Sequence, residues 1–211
     1  MKKGKLFKIV FLLFVCFWAI LPVSAVEMWE GRPQRWDIFV NGAYQTISSD
    51  SIFPSSHPCY GTIYSAVTRF NNTSPSSVRA NYTTGMGANV QYFVANQSYW
   101  NIIVHGVGVF ASTVPTDNYG RRYTCEADYF VPGIPEWVYF QKADIYYNPD
   151  TSVFNGTTYN THVVIAMHEL GHAYGLGHDP GTVMNDSPLP QYASGLTARD
   201  KQALQAFYGG T

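Results

Sequence analysis

The order of apolar and polar residues predicts a domain in which strands come first and helices come last. Residues 36–40 alternate and end at an Asn-Gly pair, which predicts a strand and a turn. Residues 60–70 carry apolar side chains at helical spacing, which predicts a first helix. Residues 77–111 are rich in Val, Ile, Tyr and Thr and contain several glycines, so we expect two or three strands there. Proline and glycine separate two further predicted strands, 129–131 and 137–148.

Two helices are predicted near the end of the chain. Residues 162–174 are apolar nearly all round, which indicates a buried helix, and Asn160 or Thr161 is expected to cap it. Residues 197–208 form the last predicted helix, with Thr197 as its N-cap and two glycines after its end. Strands followed by helices favour the α+β class of fold.

The start of the chain has the three-part layout of a secretory signal peptide. Four lysines precede an unbroken apolar run at residues 9–21, and residues 22–25 (Pro-Val-Ser-Ala) end in small side chains. We therefore expect residues 1–25 to be a signal peptide and residues 26–211 to be one secreted domain. The apolar run is shorter than the roughly 20 residues that a membrane span needs. An uncleaved N-terminal anchor is the alternative, and the small residues at 23–25 favour cleavage. We expect no stable membrane span after signal cleavage.

Composition and charge exclude some classes of function. The chain has 211 residues, of which only 13% are charged, so it is not a disordered acidic or basic chain. A net charge of −1 gives no electrostatic basis for binding nucleic acid. Cys59 and Cys125 are the only cysteines after residue 25, and in an oxidising compartment they could form one disulfide. Two separate buried thiols are the alternative.

The candidate chemistry lies in one segment that contains three histidines. His168 and His172 are four positions apart, so on a helix both imidazoles lie on one face and reach one metal ion. Glu169 points about 100° around the helix from His168, which places its carboxylate beside a metal-held water rather than on the metal. Gly175 is suited to end the helix, and the chain then turns and brings in His178 as a third ligand. Three neutral nitrogens with an open fourth position are typical of a catalytic zinc site, with Glu169 as the general base.

This segment resembles the active site of the metzincin zinc endopeptidases, and it is most like that of the matrixins, the matrix-metalloproteinase type. The resemblance rests on His-Glu-Leu-Gly-His and Gly-Leu-Gly-His, on Val-Met at 183–184, on the strand 143–148 and on the segment 196–209. It implies a zincin fold with a twisted mixed sheet, a buried active-site helix and a C-terminal helix. It also implies one catalytic Zn²⁺ on the three histidines, above a Met-turn formed by Met184.

Other positions are interpreted by the same resemblance. Pro190 and Tyr192 are similar to the Pro-x-Tyr motif that forms a wall of the matrixin substrate pocket. Asp179 stands where matrixins usually carry a small hydroxyl residue, and we interpret it as part of a turn. Asp200 is interpreted as a helix-start residue that braces the Met-turn. No acidic cluster has the spacing of a known calcium-binding loop, and the sequence makes no prediction about calcium or oligomeric state.

Two hypotheses from different classes follow. The first is a secreted zinc endopeptidase that acts on proteins or peptides. The second is a secreted binding or inhibitory module that keeps the zinc without turnover, although an intact Glu169 argues against a site that has lost its activity. A processing protease with a single partner protein is a narrower form of the first hypothesis.

Overall fold

The computed structural model describes residues 34–36, 45–48, 53–83, 88–104, 108–117, 119–120, 122 and 138–209. Within them the strands are β1 (Gln34–Trp36), β2 (Gln45–Ser48), β3 (Ala80–Thr83), β4 (Val90–Val94), β5 (Ala111–Asp117) and β6 (Val138–Tyr147). The α-helices are α1 (Thr62–Thr73), α2 (Gln97–Ile103), α3 (Tyr159–Ala173) and α4 (Ala198–Tyr208). Short 3₁₀ turns lie at Thr151–Phe154 and Pro190–Ser194.

The strands form one mixed sheet in which β6 pairs with three other strands. The strands β1 and β4 pair with β6 in parallel, and β2 lies between β4 and β3, also in parallel. The other edge of β6 pairs with β5, which is the antiparallel strand of the sheet. The predicted α+β fold with a mixed sheet is therefore confirmed.

The two faces of the sheet carry two separate apolar clusters. On β6, Ile145 packs in the main core with α1 and α3, and its neighbour Tyr146 packs in a smaller cluster with Trp100 of α2. Because successive strand residues point to opposite faces, α1 and α3 cover one face and α2 covers the other. The helix that carries the candidate site thus lies between the sheet and the rest of the main core.

The helix α3 is buried along all of its length except its first two residues. Its residues from Thr161 to Ala173 are all buried, as the apolar sequence predicts. The predicted cap was wrong, because the helix begins three residues earlier. Thr158 is the N-cap: its hydroxyl accepts a hydrogen bond from the Thr161 backbone, and the Thr161 hydroxyl accepts one from the Thr158 backbone.

Three more of the predicted elements agree with the structure. The first helix is α1, shifted by two or three residues, the strand at 137–148 is β6, and the last helix is α4 with Thr197 as its cap. The expectation for 77–111 was incomplete, because α2 lies between β4 and β5. Asn96 caps α2 by accepting a hydrogen bond from the Tyr99 backbone at 2.8 Å. The predicted strand at 129–131 and most of the one at 36–40 lie outside the described residues.

Candidate metal centre

The first two histidines of the candidate centre lie one turn apart on α3. His168 and His172 are both buried, and their ring centroids are 4.5 Å apart. The four-residue spacing on a helix accounts for this, because side chains at i and i+4 lie on the same face. The two imidazoles therefore converge before any loop contributes to the site.

The end of α3 returns the third histidine to the same place. Gly175 has a φ of 86°, the left-handed conformation that glycine adopts without strain. Its backbone N–H donates to the carbonyl of His172 at 2.9 Å, and the N–H of Leu176 donates to that of Gly171 at 3.0 Å. These two bonds define a Schellman motif, which reverses the chain immediately after the helix. The predicted stop at Gly175 is confirmed, and His178 follows it.

The three candidate ligand nitrogens lie close enough together to hold one metal ion. Nε2 of His172 lies 2.9 Å from Nε2 of His168 and 3.2 Å from Nε2 of His178. A tetrahedral ion with Zn–N bonds of 2.0–2.1 Å separates its ligand nitrogens by about 3.3 Å. All three ligand atoms lie within 4.8 Å of one another. The donor set therefore fits a metal ion that prefers nitrogen ligands.

The opposite nitrogen of each imidazole is engaged by a hydrogen-bond acceptor. Nδ1 of His168 donates to the carbonyl of Val183 at 3.0 Å, and Nδ1 of His172 donates to that of Leu176 at 2.7 Å. Nδ1 of His178 lies 3.1 Å from the carboxylate of Asp186. With the ring proton on Nδ1, each Nε2 presents a lone pair to the centre. Three lone pairs that face one another are repulsive unless a cation lies between them.

Burial keeps the two helical histidines neutral. It lowers the pKa of His168 to about 4, with a further lowering from the neighbouring His178. It also lowers the pKa of His172 well below its ordinary value. Neutral imidazole is the form that binds a metal ion. At neutral pH a metal ion therefore does not have to displace protons from these two ligands.

Glu169 follows His168 on α3, and its carboxylate is not among the clustered ligand atoms of the three histidines. It is buried, and its carboxylate accepts a hydrogen bond from the hydroxyl of Thr113 in β5 at 2.7 Å. Burial raises the pKa of Glu169 to about 7, and the Thr113 bond opposes that rise. A divalent cation on the histidines would also oppose it, because positive charge favours the carboxylate. The geometry thus separates an acid-base group from the ligand set.

The turn that contains Met184 packs directly under α3. Met184 is buried, and a Cβ added at Gly171 would lie 2.3 Å from its sulfur. Glycine at 171 therefore lets the turn approach the helix closely. Asp200 of α4 holds the same turn, because its carboxylate accepts hydrogen bonds from the backbone of Val183 and of Thr197. The interpretation of Asp200 as a brace of this turn is confirmed.

Comparison with protein families gives a match over most of the described site. The matrixin family model matches residues 82–209, which include β4 to β6, α2 to α4, the three histidines and the Met184 turn. The chain belongs to the matrixin family. This confirms the family that the sequence motifs suggested, and the match extends well before the strand at 143–148. A comparison with curated proteins gave no match.

The candidate pocket wall of this matrixin lies beside the loop that follows His178. Pro190–Ser194 form a 3₁₀ turn in which Tyr192 is partly buried against the main core. A Cβ at Gly181 would lie 4.0 Å from the Tyr192 hydroxyl, so this turn flanks the loop that follows His178. Pro190 is exposed at the start of the turn. The role of Pro190 and Tyr192 in a substrate pocket stays a prediction.

Two other predicted residues, Asp179 and Cys59, have clear positions. Asp179 is buried in the turn after His178, where it forms an ion pair with Arg199 and accepts a bond from Thr182 at its carbonyl. This agrees with a turn role. Cys59 is a buried free thiol, and Cys125 lies outside the described residues. The disulfide between them therefore stays a prediction.

Sequence reasoning missed two residues that contact the centre. Thr113 lies 56 positions before Glu169, and no spacing rule connects a strand residue to a helix residue at that distance. Asp186 follows Met184 by two residues, and none of the sequence motifs assigns it a role. A carboxylate close after the third histidine was the one available signal, because metal-bound histidines commonly donate to carboxylates.

Proposed function

We propose that this matrixin is a secreted zinc endopeptidase in which His168, His172 and His178 hold the metal and Glu169 is the general base. Membership of the matrixin family supports zinc-dependent peptide hydrolysis. The observation that carries the assignment of residues is the convergence of the three Nε2 atoms, with all three Nδ1 atoms engaged elsewhere. A set of core histidines would have no reason to point three lone pairs at one place.

The residues around the centre divide the work of peptide hydrolysis. His168, His172 and His178 would hold a zinc ion, which would lower the pKa of a bound water and stabilise negative charge on the substrate carbonyl oxygen. Glu169 accepts a proton from the attacking water at its carboxylate and then donates that proton to the nitrogen of the leaving amine.

The substrate is proposed to be an extended protein or peptide segment. Such a segment binds by main-chain hydrogen bonds beside a strand. Of the described strands, β5 is the antiparallel one and contacts Glu169 through Thr113, which supports β5 as the strand nearest the scissile bond. Tyr192 and Pro190 are the proposed wall of a side-chain pocket next to it.

Export is proposed from the first 25 residues. Residues 1–25 act as a cleaved signal peptide, and residues 26–211 are the catalytic domain. None of the helices in the described part of the chain has both the length and the apolar character for crossing a bilayer. Expression with the native leader and mass measurement of the exported protein would test cleavage after Ala25. Retention of the leader on a membrane-associated protein would favour an N-terminal anchor.

Hydrolysis of denatured casein by purified residues 26–211 tests the enzymatic proposal. The wild-type chain is compared with and without a chelator, and beside it the variant Glu169→Ala. We expect cleavage that the chelator abolishes and that the variant lacks, while the variant still binds one zinc per chain. Activity that survives in Glu169→Ala would overturn the assignment of the base.

Absence of cleavage would separate the remaining hypotheses. A wild-type chain that binds one zinc but leaves casein intact would favour a binding or inhibitory module, or a processing protease with one partner protein. Incubation with proteins from the same secreted fraction would then distinguish these two, because only the processing protease yields a new terminus.

A further inference from the structure

Thr113 contacts the side chain and the backbone of Glu169 with a single hydroxyl group. Its Oγ1 lies 2.7 Å from Oε2 of Glu169 and 2.9 Å from the backbone oxygen of the same residue. Thr113 exposes 1% of its surface and Glu169 5%. A hydrogen bond to a buried carboxylate is strong and well directed, because little water competes for either group.

This contact engages one of the two carboxylate oxygens of Glu169. Within the part of the chain that the structure describes, the Thr113 hydroxyl is the one group that donates to the Glu169 carboxylate, and it contacts Oε2. The second oxygen, Oε1, is then the atom that can accept a proton from a water. Since the hydroxyl also contacts the Glu169 carbonyl, it fixes the carboxylate relative to its own helix.

The backbone around Thr113 is paired within the sheet. Thr113 is the third residue of β5, opposite Ile145 of β6. Ile145 is buried in the main core with α3. A hydroxyl held by a paired strand gives a carboxylate a more constant position than a loop residue would.

We infer that Thr113 is a positioning residue, which holds the Glu169 carboxylate in the rotamer that keeps Oε1 available to the attacking water. This inference rests on the proposed function. Displacement of a general base by even 1 Å can cost about 100-fold in rate, so loss of the hydroxyl should lower kcat. The hydroxyl does not touch the ligand nitrogens, so zinc binding and KM should change little.

If Thr113 had a purely structural role, its hydroxyl would attach β5 to α3, and its loss would not lower kcat. Three variants separate the two roles. Thr113→Val keeps the shape and removes the hydroxyl, and Thr113→Ser keeps the hydroxyl. Thr62→Val is the matched control, because Thr62 is also buried and donates its hydroxyl to a backbone carbonyl, that of Cys59 at 2.7 Å, away from the centre.

Steady-state cleavage of labelled casein and zinc content are measured for each variant. We expect Thr113→Val to lose about tenfold or more in kcat with KM within about twofold and one zinc per chain. Thr113→Ser should keep kcat within about threefold of wild type, and Thr62→Val should lower the melting temperature without lowering kcat. A Thr113→Val enzyme with wild-type kcat, or a Thr113→Ser enzyme as slow as the valine variant, would overturn the inference.

A second measurement does not depend on activity. Melting temperatures of the zinc-free protein are compared for Thr113→Val, Glu169→Ala and the double variant. If the two side chains are hydrogen-bonded, the melting temperature falls less in the double variant than the sum of its decreases in the two single variants. Additive losses would overturn the inference even if the enzyme is active. Wild-type protein that cleaves nothing would instead count against the proposed function, and the melting comparison would still test the bond.

Discussion

The carboxylate of Asp200 accepts a hydrogen bond from the backbone N–H of Val183 at 3.2 Å. The same oxygen accepts one from the backbone of Thr197 at 2.8 Å, so one buried side chain caps α4 and holds the turn before Met184. Val183 in turn offers its carbonyl to His168. The last helix of the chain is therefore linked to the metal centre through one residue of the turn.

Replacement of Asp200 by alanine is expected to lower the free energy of unfolding by about 2 kcal/mol or more. Two backbone N–H groups lose a charged acceptor in a buried place, and unsatisfied buried donors are costly. Urea unfolding followed by tryptophan fluorescence measures the change. Lys201→Ala is the control at the next position of α4 and should change stability by less than about 0.5 kcal/mol. An Asp200→Ala protein as stable as this control would contradict the linking role.

Removal of the Asp186 carboxylate is expected to weaken zinc binding. Asp186→Ala takes away the acceptor of His178 Nδ1, and loss of such a partner typically costs about 10- to 100-fold in metal affinity. Competition with a chromogenic chelator gives the Kd. Asp150→Asn, which removes a distant exposed charge, should leave the Kd unchanged. Equal Kd values for Asp186→Ala and wild type would show that the ion pair does not support the ligand.

Substitution at Gly175 should destabilise the protein in proportion to the strain at positive φ. Gly175→Ala is expected to cost about 1 to 2 kcal/mol, because alanine resists the left-handed conformation. Gly175→Asn should cost less, since asparagine tolerates that conformation. Thermal unfolding of the zinc-free chains compares the two. An asparagine variant that is less stable than the alanine variant would mean that the space around residue 175, rather than its φ angle, decides which side chain is tolerated.

Stability is expected to fall below a pH of about 6.5 because of two histidines outside the centre. Burial lowers the pKa of both His57 and His162, and both rings pack against Phe154. Nδ1 of His57 accepts a hydrogen bond from the Cys59 backbone at 3.2 Å, so a proton cannot be added there without breaking it. The unfolded chain therefore takes up protons first, and stability is lost as the pH falls through about 6.5, the usual value of an unfolded histidine.

Urea unfolding between pH 8 and pH 5 tests this dependence. The variants His57→Gln and His162→Gln should each have a flatter profile than wild type between pH 6.5 and pH 5. A profile that both substitutions leave unchanged would assign the acid sensitivity to other groups. Measurements are made on zinc-free protein, in which the ligand histidines contribute the same background to every variant.

The parts of the site that depend on local spacing were predictable from the sequence. His168, His172 and the stop at Gly175 follow from the geometry of one helix, and the cap at Thr197 follows from a local motif. The start of α3 was misplaced because Asn160 and Thr161 are plausible caps in the sequence, and only the reciprocal bonds of Thr158 and Thr161 show that Thr158 is the cap.

The parts that depend on long-range packing could not be predicted. The contact of Thr113 with Glu169 requires β5 to lie beside α3, and the sequence does not show which strand takes that place. The helix α2 was missed because its aromatic and β-branched residues favour a strand. Asn96 caps it and Trp100 and Ile103 bury one side of it, so tertiary packing decides its conformation.

The positions along the chain of the residues that build the metal centre have a consequence for folding. The three histidines and the acceptors of their Nδ1 atoms all lie between residues 168 and 186. Closure of so short a segment costs little chain entropy, so metal capture needs only α3 and the turn after it. Orientation of the base needs β5, more than 50 residues away in sequence. We therefore expect a refolding chain to acquire zinc before it acquires activity, and a truncated chain that lacks β5 to retain a ligand set without a correctly placed base.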